Sequence, residues 1–155
     1  MQSNDVIKET SQYIIFTLDN EYYAVEVLKI KEVIGYKPIT RIPNSPPFVK
    51  GIIDLRGEAV PIIDIRSRFN LPEKEYDKFT VILILSIKNK LIGIIVDSVS
   101  DIINFSKEDI QPTPSLITNS NIDREYIAGV IKKENYFVLI VNIDKILFQE
   151  ELDLL

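Results

Sequence analysis

The sequence predicts a mainly β protein of two small barrels packed together, with short helices and a C-terminal helix. Three observations predict it. Ile, Val and Leu come in short runs broken by Asn, Asp, Gly and Pro, which is the rhythm of strands. Asp19-Asn20-Glu21 and Lys88-Asn89-Lys90 separate such runs, and Asn tolerates the left-handed backbone of tight hairpins. The chain also repeats itself.

Taken in order, the candidate strands are 12–18, 22–27, 39–42, 49–55, 59–65, 80–87, 91–96, 127–132 and 137–142. Segment 27–34 fits two periods. Val27, Ile30 and Ile34 suit a helix, and alternation matches nearly as well, so it reads as one helical turn and then a strand. Segment 51–65, GIIDLRGEAVPIIDI, sets two apolar arms around Asp54-Leu55-Arg56-Gly57-Glu58. That is a hairpin, with Gly57 free to take positive φ. Pro61 cannot donate to a ladder, so its strand lies at an edge or a bulge. Residues 144–155 read as a helix, with Asp144 as N-cap and Leu147, Leu152 and Leu155 on an apolar side.

An offset of 69 lays 13–34 over 82–103 without a gap. Asn20 falls on Asn89, Ala24 on Gly93, Ile30 on Val99 and Glu32 on Asp101. An offset of 78 lays 48–65 over 126–143, where Gly51 meets Gly129 and Asp64 meets Asn142. The second half therefore carries about nine more residues, within 106–125. One domain over 11–155 is expected, with subdomain 1 at about 11–78 and subdomain 2 at about 79–146. A unit of roughly 65 residues is marginal alone, so the two share a core. Positions that differ at exposed turns are free to specialise. The first hairpin turns through Arg56-Gly57 and its counterpart through Glu134-Asn135.

Composition excludes much chemistry. The 18 Lys and Arg against 23 Asp and Glu leave a net charge of −5, with no basic stripe for nucleic acid. With neither His nor Cys, imidazole bases, thiol nucleophiles and Cys/His metal sites are ruled out, and no cofactor is expected. Asp54 and Glu58 flank one turn, but exposed acids lack the burial that separates a catalytic acid from a base. The N-terminus is unlike a signal peptide, and runs such as VILIL are too short to span a bilayer. A cytoplasmic protein without direct membrane insertion is expected.

Segment 42–71, IPNSPPFVKGIIDLRGEAVPIIDIRSRFNL, has an ordered series: Ile-Pro, Pro, Phe-Val-x-Gly, Leu-Arg-Gly and Val-Pro-Ile-x-Asp-Ile-Arg. With IGIIVDSVSDIINFSKEDIQPTP at 92–114 and EYIAGVIKKENYFVLIVNIDKIL at 125–147, it resembles the bacterial chemotaxis coupling protein family, CheW, over nearly all of 12–155. One departure is Asp54, where that family usually has Asn. An added carboxylate there is expected to hold the Arg56 guanidinium.

The resemblance implies two SH3-like five-stranded barrels and a non-enzymatic adaptor. The implied partners are the cytoplasmic tip of a chemoreceptor (a methyl-accepting chemotaxis protein) and the regulatory domain of the histidine kinase CheA. The adaptor would be cytoplasmic and recruited to membrane-associated receptor arrays. An alternative is a free-standing kinase-regulatory-type or CheV-like module in another two-component pathway. The resemblance assigns receptor binding to Ile30, Glu32, Arg56 and Ile102, and kinase binding to Ile39, Gly51, Gln111 and Leu116. Six of these have a plainer reading: Ile30, Ile39 and Gly51 as scaffold, Glu32 and Arg56 as solvated charges, Leu116 in a loop tucked on its own barrel.

Overall fold

The computed structural model describes residues 10–46, 48–114 and 126–147. Its strands are β1 (Thr10–Leu18), β2 (Glu21–Glu26), β3 (Ile30–Gly35), β4 (Val49–Leu55), β5 (Glu58–Asp64), β6 (Val81–Ile87), β7 (Lys90–Val96), β8 (Ser98–Ser106), β9 (Ile110–Gln111), β10 (Ile127–Lys133) and β11 (Tyr136–Val141). Two short helices, α1 (Ile65–Arg68) and α2 (Ile143–Ile146), follow β5 and β11.

Local chemistry sets the hairpins. Asp19 and Asn20 take φ of 50° and 65°, and Lys88 and Asn89 take 50° and 66°. Two successive left-handed residues match the right-handed twist of the flanking strands. Arg56 and Gly57 turn the same way, at 53° and 87°. The 3₁₀ turn Val27–Lys29 followed by β3 is the turn-then-strand read from the sequence.

Three local readings are corrected. Segment 39–42 forms no strand; Thr40 alone pairs, with Ile52. β8 was absent from the candidate strands, because its polar and exposed positions hide the alternation. The N-cap position of α2 is Asn142, which makes no side-chain capping bond, and not Asp144, which sits in the first turn. The helix starts directly after β11, as α1 starts directly after β5, where Asp64 Oδ1 accepts from Arg66 N–H at 3.0 Å. The rest of the helix expected over 144–155 lies outside the described residues.

The strands order as β8-β1-β2-β11-β10-β9 in one sheet and β3-β6-β7-β5-β4 in the other. The repeat and the sheets are therefore different divisions of the chain. β1 and β2 from the first half join the second half's β8 to β11, while β6 and β7 join β3, β4 and β5. Under the repeat, β3-β6-β7-β5-β4 maps position by position onto β8-β1-β2-β11-β10. In each sheet the exchanged hairpin meets the last strand of the other half in parallel, β2 with β11 and β7 with β5. Thr40 on Ile52 and β9 on β10 are likewise equivalent, and each ties the two edges of its sheet through the chain itself.

Alternation then builds three cores. Ile14, Phe16 and Leu18 of β1 face Leu83, Leu85 and Ile87 of β6 in a core shared between the sheets. The opposite faces, Tyr13 and Ile15, and Ile82 and Ile84, fill the two barrel interiors. β1 and β6 are thus buried on both sides, which explains their unbroken apolar runs. At 0% exposure, Phe16, Leu83 and Leu85 each contribute about 1.5–3 kcal/mol of burial.

One buried cation joins the halves. Arg66 Nη1 donates to Asp97 Oδ2 at 2.7 Å, Nη2 to Asp19 Oδ1 at 2.5 Å and Nε to the Pro72 carbonyl at 2.8 Å. Burial disfavours its charge, and the two carboxylates more than compensate, so its pKa is raised.

Two outcomes follow from this topology. Fragments cut within 70–79 are each unfolded alone by circular dichroism and regain the native spectrum when mixed; a half that folds alone contradicts the interleaving. Gly51 has φ +148°, and a Cβ there would lie 2.1 Å from the Thr40 carbonyl oxygen. Gly51→Ala is expected to cost about 2–4 kcal/mol, lowering the thermal midpoint by roughly 5–15 °C.

Candidate functional site

Arg56 meets Glu32. Nη2 donates to Oε1 at 2.7 Å and Nη1 to Oε2 at 3.2 Å, a two-point guanidinium–carboxylate pair. The partner is not Asp54, as the sequence suggested. Asp54 Oδ1 accepts from Gly57 N–H at 2.7 Å and so holds the turn. Lys37 Nζ donates to the Asp54 carbonyl at 2.7 Å.

A bulge aims Glu32 at this hairpin. Ile30 pairs with Leu85 and Glu32 with Ile84, so one extra residue intervenes on β3. Leu85 faces the shared core and Ile84 the barrel interior. Ile30 and Glu32 therefore leave opposite faces of the strand. Ile30 is half-buried against the shared core, whereas Glu32 stands at the barrel mouth and reaches Arg56 across it. β3 and β4 are the two edges of that sheet, so the pair spans its seam.

The other barrel repeats the device. Asp101 of edge strand β8 accepts from Lys133 Nζ of β10 at 2.9 Å. The equivalence of Glu32 and Asp101 was visible in the sequence, and this cation was not, because Arg56 aligns with Glu134 and the lysine lies one residue earlier. Val33 and Ile102 are also equivalent, and both are exposed. Ile102, at 56%, belongs to the other sheet from Glu32 and Arg56.

The remaining predicted residues divide by exposure. Ile39 is half-buried against the interior of the β3–β7 barrel. Gly51 is buried where the Thr40 bridge crosses it. Gln111 is exposed on β9, at the equivalent bridge of the other sheet. Leu116 lies outside the described residues. Val33, Lys37 and Lys133 are site neighbours that sequence reasoning missed.

The hydrogen bond from Arg56 holds the Glu32 carboxyl below its usual range, and Lys133 does the same for Asp101. Both pairs are solvent-facing, and Arg56 is 72% exposed, so salt screens them. A carboxyl with a depressed folded pKa contributes stability that is full above its unfolded pKa. That contribution is lost as pH falls through the folded value. In a carbon-detected NMR titration, Arg56→Ala is expected to move the Glu32 midpoint up toward the ordinary carboxylate range and leave Asp101 where it was; an unmoved Glu32 contradicts the pairing.

Comparison with known proteins bears on this geometry. The family described as CheW-like domain matches residues 12–151. The chain is 39% identical over 143 residues to chemotaxis protein CheW of Klebsiella aerogenes, covering 92% of this chain and 85% of that one. It is 33% identical over 140 residues to chemotaxis protein CheW of Rhizobium meliloti, covering 90% and 89%. Its fold superposes on the crystal structure of scaffolding protein TtCheW from Thermoanaerobacter tengcongensis with a TM-score of 0.82 at 27% identity, covering 97% and 96%. The ordered motif around Arg56, the two interleaved sheets and these near full-length matches have one source: the chain belongs to the CheW-like family.

Proposed function

We propose that this protein is a non-enzymatic adaptor that couples chemoreceptors to the histidine kinase CheA. The observation that carries the reading is the exposed Glu32–Arg56 pair, held at a barrel mouth of a fold shared with a scaffolding protein. The guanidinium keeps an exposed face and further N–H donors for a second acceptor. Glu32, Arg56 and the exposed Ile102 form the receptor site, where apolar burial gives affinity and charge sets register. Ile30 supports it from the shared core. The receptor tip is a helical hairpin, and the adaptor stays in the cytoplasm until receptor arrays recruit it. No helix among the described residues is long and apolar enough to cross a membrane.

The kinase's regulatory domain docks elsewhere. Ile39 and Gly51 lie at one closing bridge and Gln111 at its equivalent, with Leu116 further along the same connection. Two like seams, one on each sheet, suit a partner that is itself built of such barrels. Modest affinity at each seam suffices, because an array raises effective concentration.

NMR titration with a receptor-tip peptide and, separately, a kinase regulatory domain tests the reading, and shifts are expected on two distinct patches. Arg56→Ala and Ile102→Glu should weaken receptor binding on the order of tenfold each with thermal unfolding nearly unchanged. Ile30→Glu is a poorer probe, since it also places a charge against the shared core. Full binding by both exposed-site variants sinks the receptor assignment.

A further inference from the structure

Glu32 has two cations beside it and is bonded to one. Arg56 holds it by the two-point pair, and Lys37 stands close enough for its charge to lower the same carboxyl. Lys37 Nζ is meanwhile bonded to the Asp54 carbonyl, two residues before Arg56 on the same hairpin. The lysine follows Gly35, the last residue of β3, so the run of chain that carries Glu32 also delivers Lys37 to that hairpin.

The two cations suit unlike acceptors. The planar fork of arginine matches a carboxylate at two points, whereas an ammonium is a point charge that a single oxygen satisfies. Arg56 therefore wins Glu32 while both are free, and Lys37 rests on a neutral carbonyl, the weaker of its two choices. The pair is also layered. Arg56 is the outer member, with its side chain 72% exposed, and Glu32 is the inner one at 32%.

An acid arriving from a partner meets that guanidinium first. Glu58 already acts on Arg56, so the newcomer is a third carboxylate around one cation. Once Arg56 turns to it, Glu32 loses its counter-ion at the barrel mouth, and that loss offsets the new contact. The second barrel has no such arrangement. The offset of 69, carried three residues past Ile34, sets Ser106 where the first barrel has Lys37. Ser106 is buried and bonded to Asp109. Among the described residues, Lys133 is the cation that lowers Asp101. The spare cation belongs to the mouth that carries Arg56.

We propose that Lys37 is the standby counter-ion of Glu32: when an acidic side chain of a partner takes Arg56, Lys37 leaves the Asp54 carbonyl and takes Glu32. The exchange keeps both Glu32 and the incoming carboxylate paired. The site then selects a partner with Asp or Glu facing Arg56 and discriminates against one that presents a neutral or basic group. Lys37 is thus a specificity-determining residue. The proposal rests on the receptor assignment for the source of the acid, and on the hairpin geometry for the exchange itself.

NMR of carboxyl and lysine-ammonium groups in the purified chain tests the exchange without a partner, with Arg56→Ala standing for the captured arginine. In Arg56→Ala the Lys37 ammonium is expected to gain a hydrogen-bond coupling to the Glu32 carboxyl. Lys37→Met should move the Glu32 midpoint little while Arg56 is present and clearly more in the Arg56→Ala background, with Asp101 unmoved throughout. A lysine that acts only at a distance, or only holds the hairpin, gives equal shifts in both backgrounds and no coupling, and that result overturns the proposal. Lys37→Gln and Arg56→Gln replace any variant that fails to fold by circular dichroism.

A receptor-tip peptide then tests the source of the acid. Lys37→Met should weaken its binding on the order of fivefold, and Lys37→Arg should retain it. The bound wild type should show Lys37 coupled to Glu32; a bound peptide that leaves Lys37 on Asp54 overturns the exchange. A wild type that does not bind the peptide contradicts the receptor assignment, and the comparison in the free chain still decides the role of Lys37.

Discussion

Burial of four strands on both faces is the constraint on which the rest of the molecule depends. β1, β2, β6 and β7 each give one face to a barrel interior and the other to the shared core. Such strands have no solvent side, so neither barrel is complete until the other half of the chain arrives. Glycine and alanine mark where this packing is tightest. At Gly93 a Cβ would lie 2.5 Å from the Ile62 Cδ1, and its equivalent Ala24 is fully buried in the other interior. The buried Arg66 adds a polar tie at the same junction, joining the first hairpin turn, the end of β7 and the connection out of α1.

That scaffold leaves edges, and the proposed contacts lie along them. Each sheet is tied at its seam twice, once by a backbone bridge and once by an ion pair. The backbone bridges are built from glycine and close approach, and tolerate little change. The ion pairs are exposed and contribute through geometry more than through stability. A carboxylate pinned by a two-point guanidinium presents a defined surface, whereas a solvated arginine would present many. The proposed receptor site thus sits on a seam that evolution can retune without touching the core.

The duplicated architecture also explains how one small chain can offer several unlike surfaces. Equivalent backbone positions hold Arg56 and Glu134, Asp54 and Lys132, Ala59 and Phe137, Lys90 and Glu21. Symmetry of the fold therefore comes without symmetry of charge or shape. Two like barrels with unlike skins suit an adaptor, which must distinguish its contacts by chemistry alone.

Much of this was legible in the chain alone. Alternating apolar runs, paired left-handed turns and the repeat were enough for a β fold in two like units, and the ordered motif around Arg56 was enough for the family. Glu32 and Arg56 were both named, because the family resemblance assigns both to receptor contacts. The partnership between them was not readable, since it depends on a one-residue bulge in β3 that turns Glu32 away from Ile30 and toward the opposite edge of its sheet. Asp54, two residues from Arg56 in sequence, was the natural guess and is instead committed to the backbone of the turn. The exchange of hairpins was equally hidden: a repeat says that two segments are alike, and long-range pairing decides which sheet each segment enters. Local propensity is written residue by residue, while register across edges and burial on a second face exist only once distant strands have met.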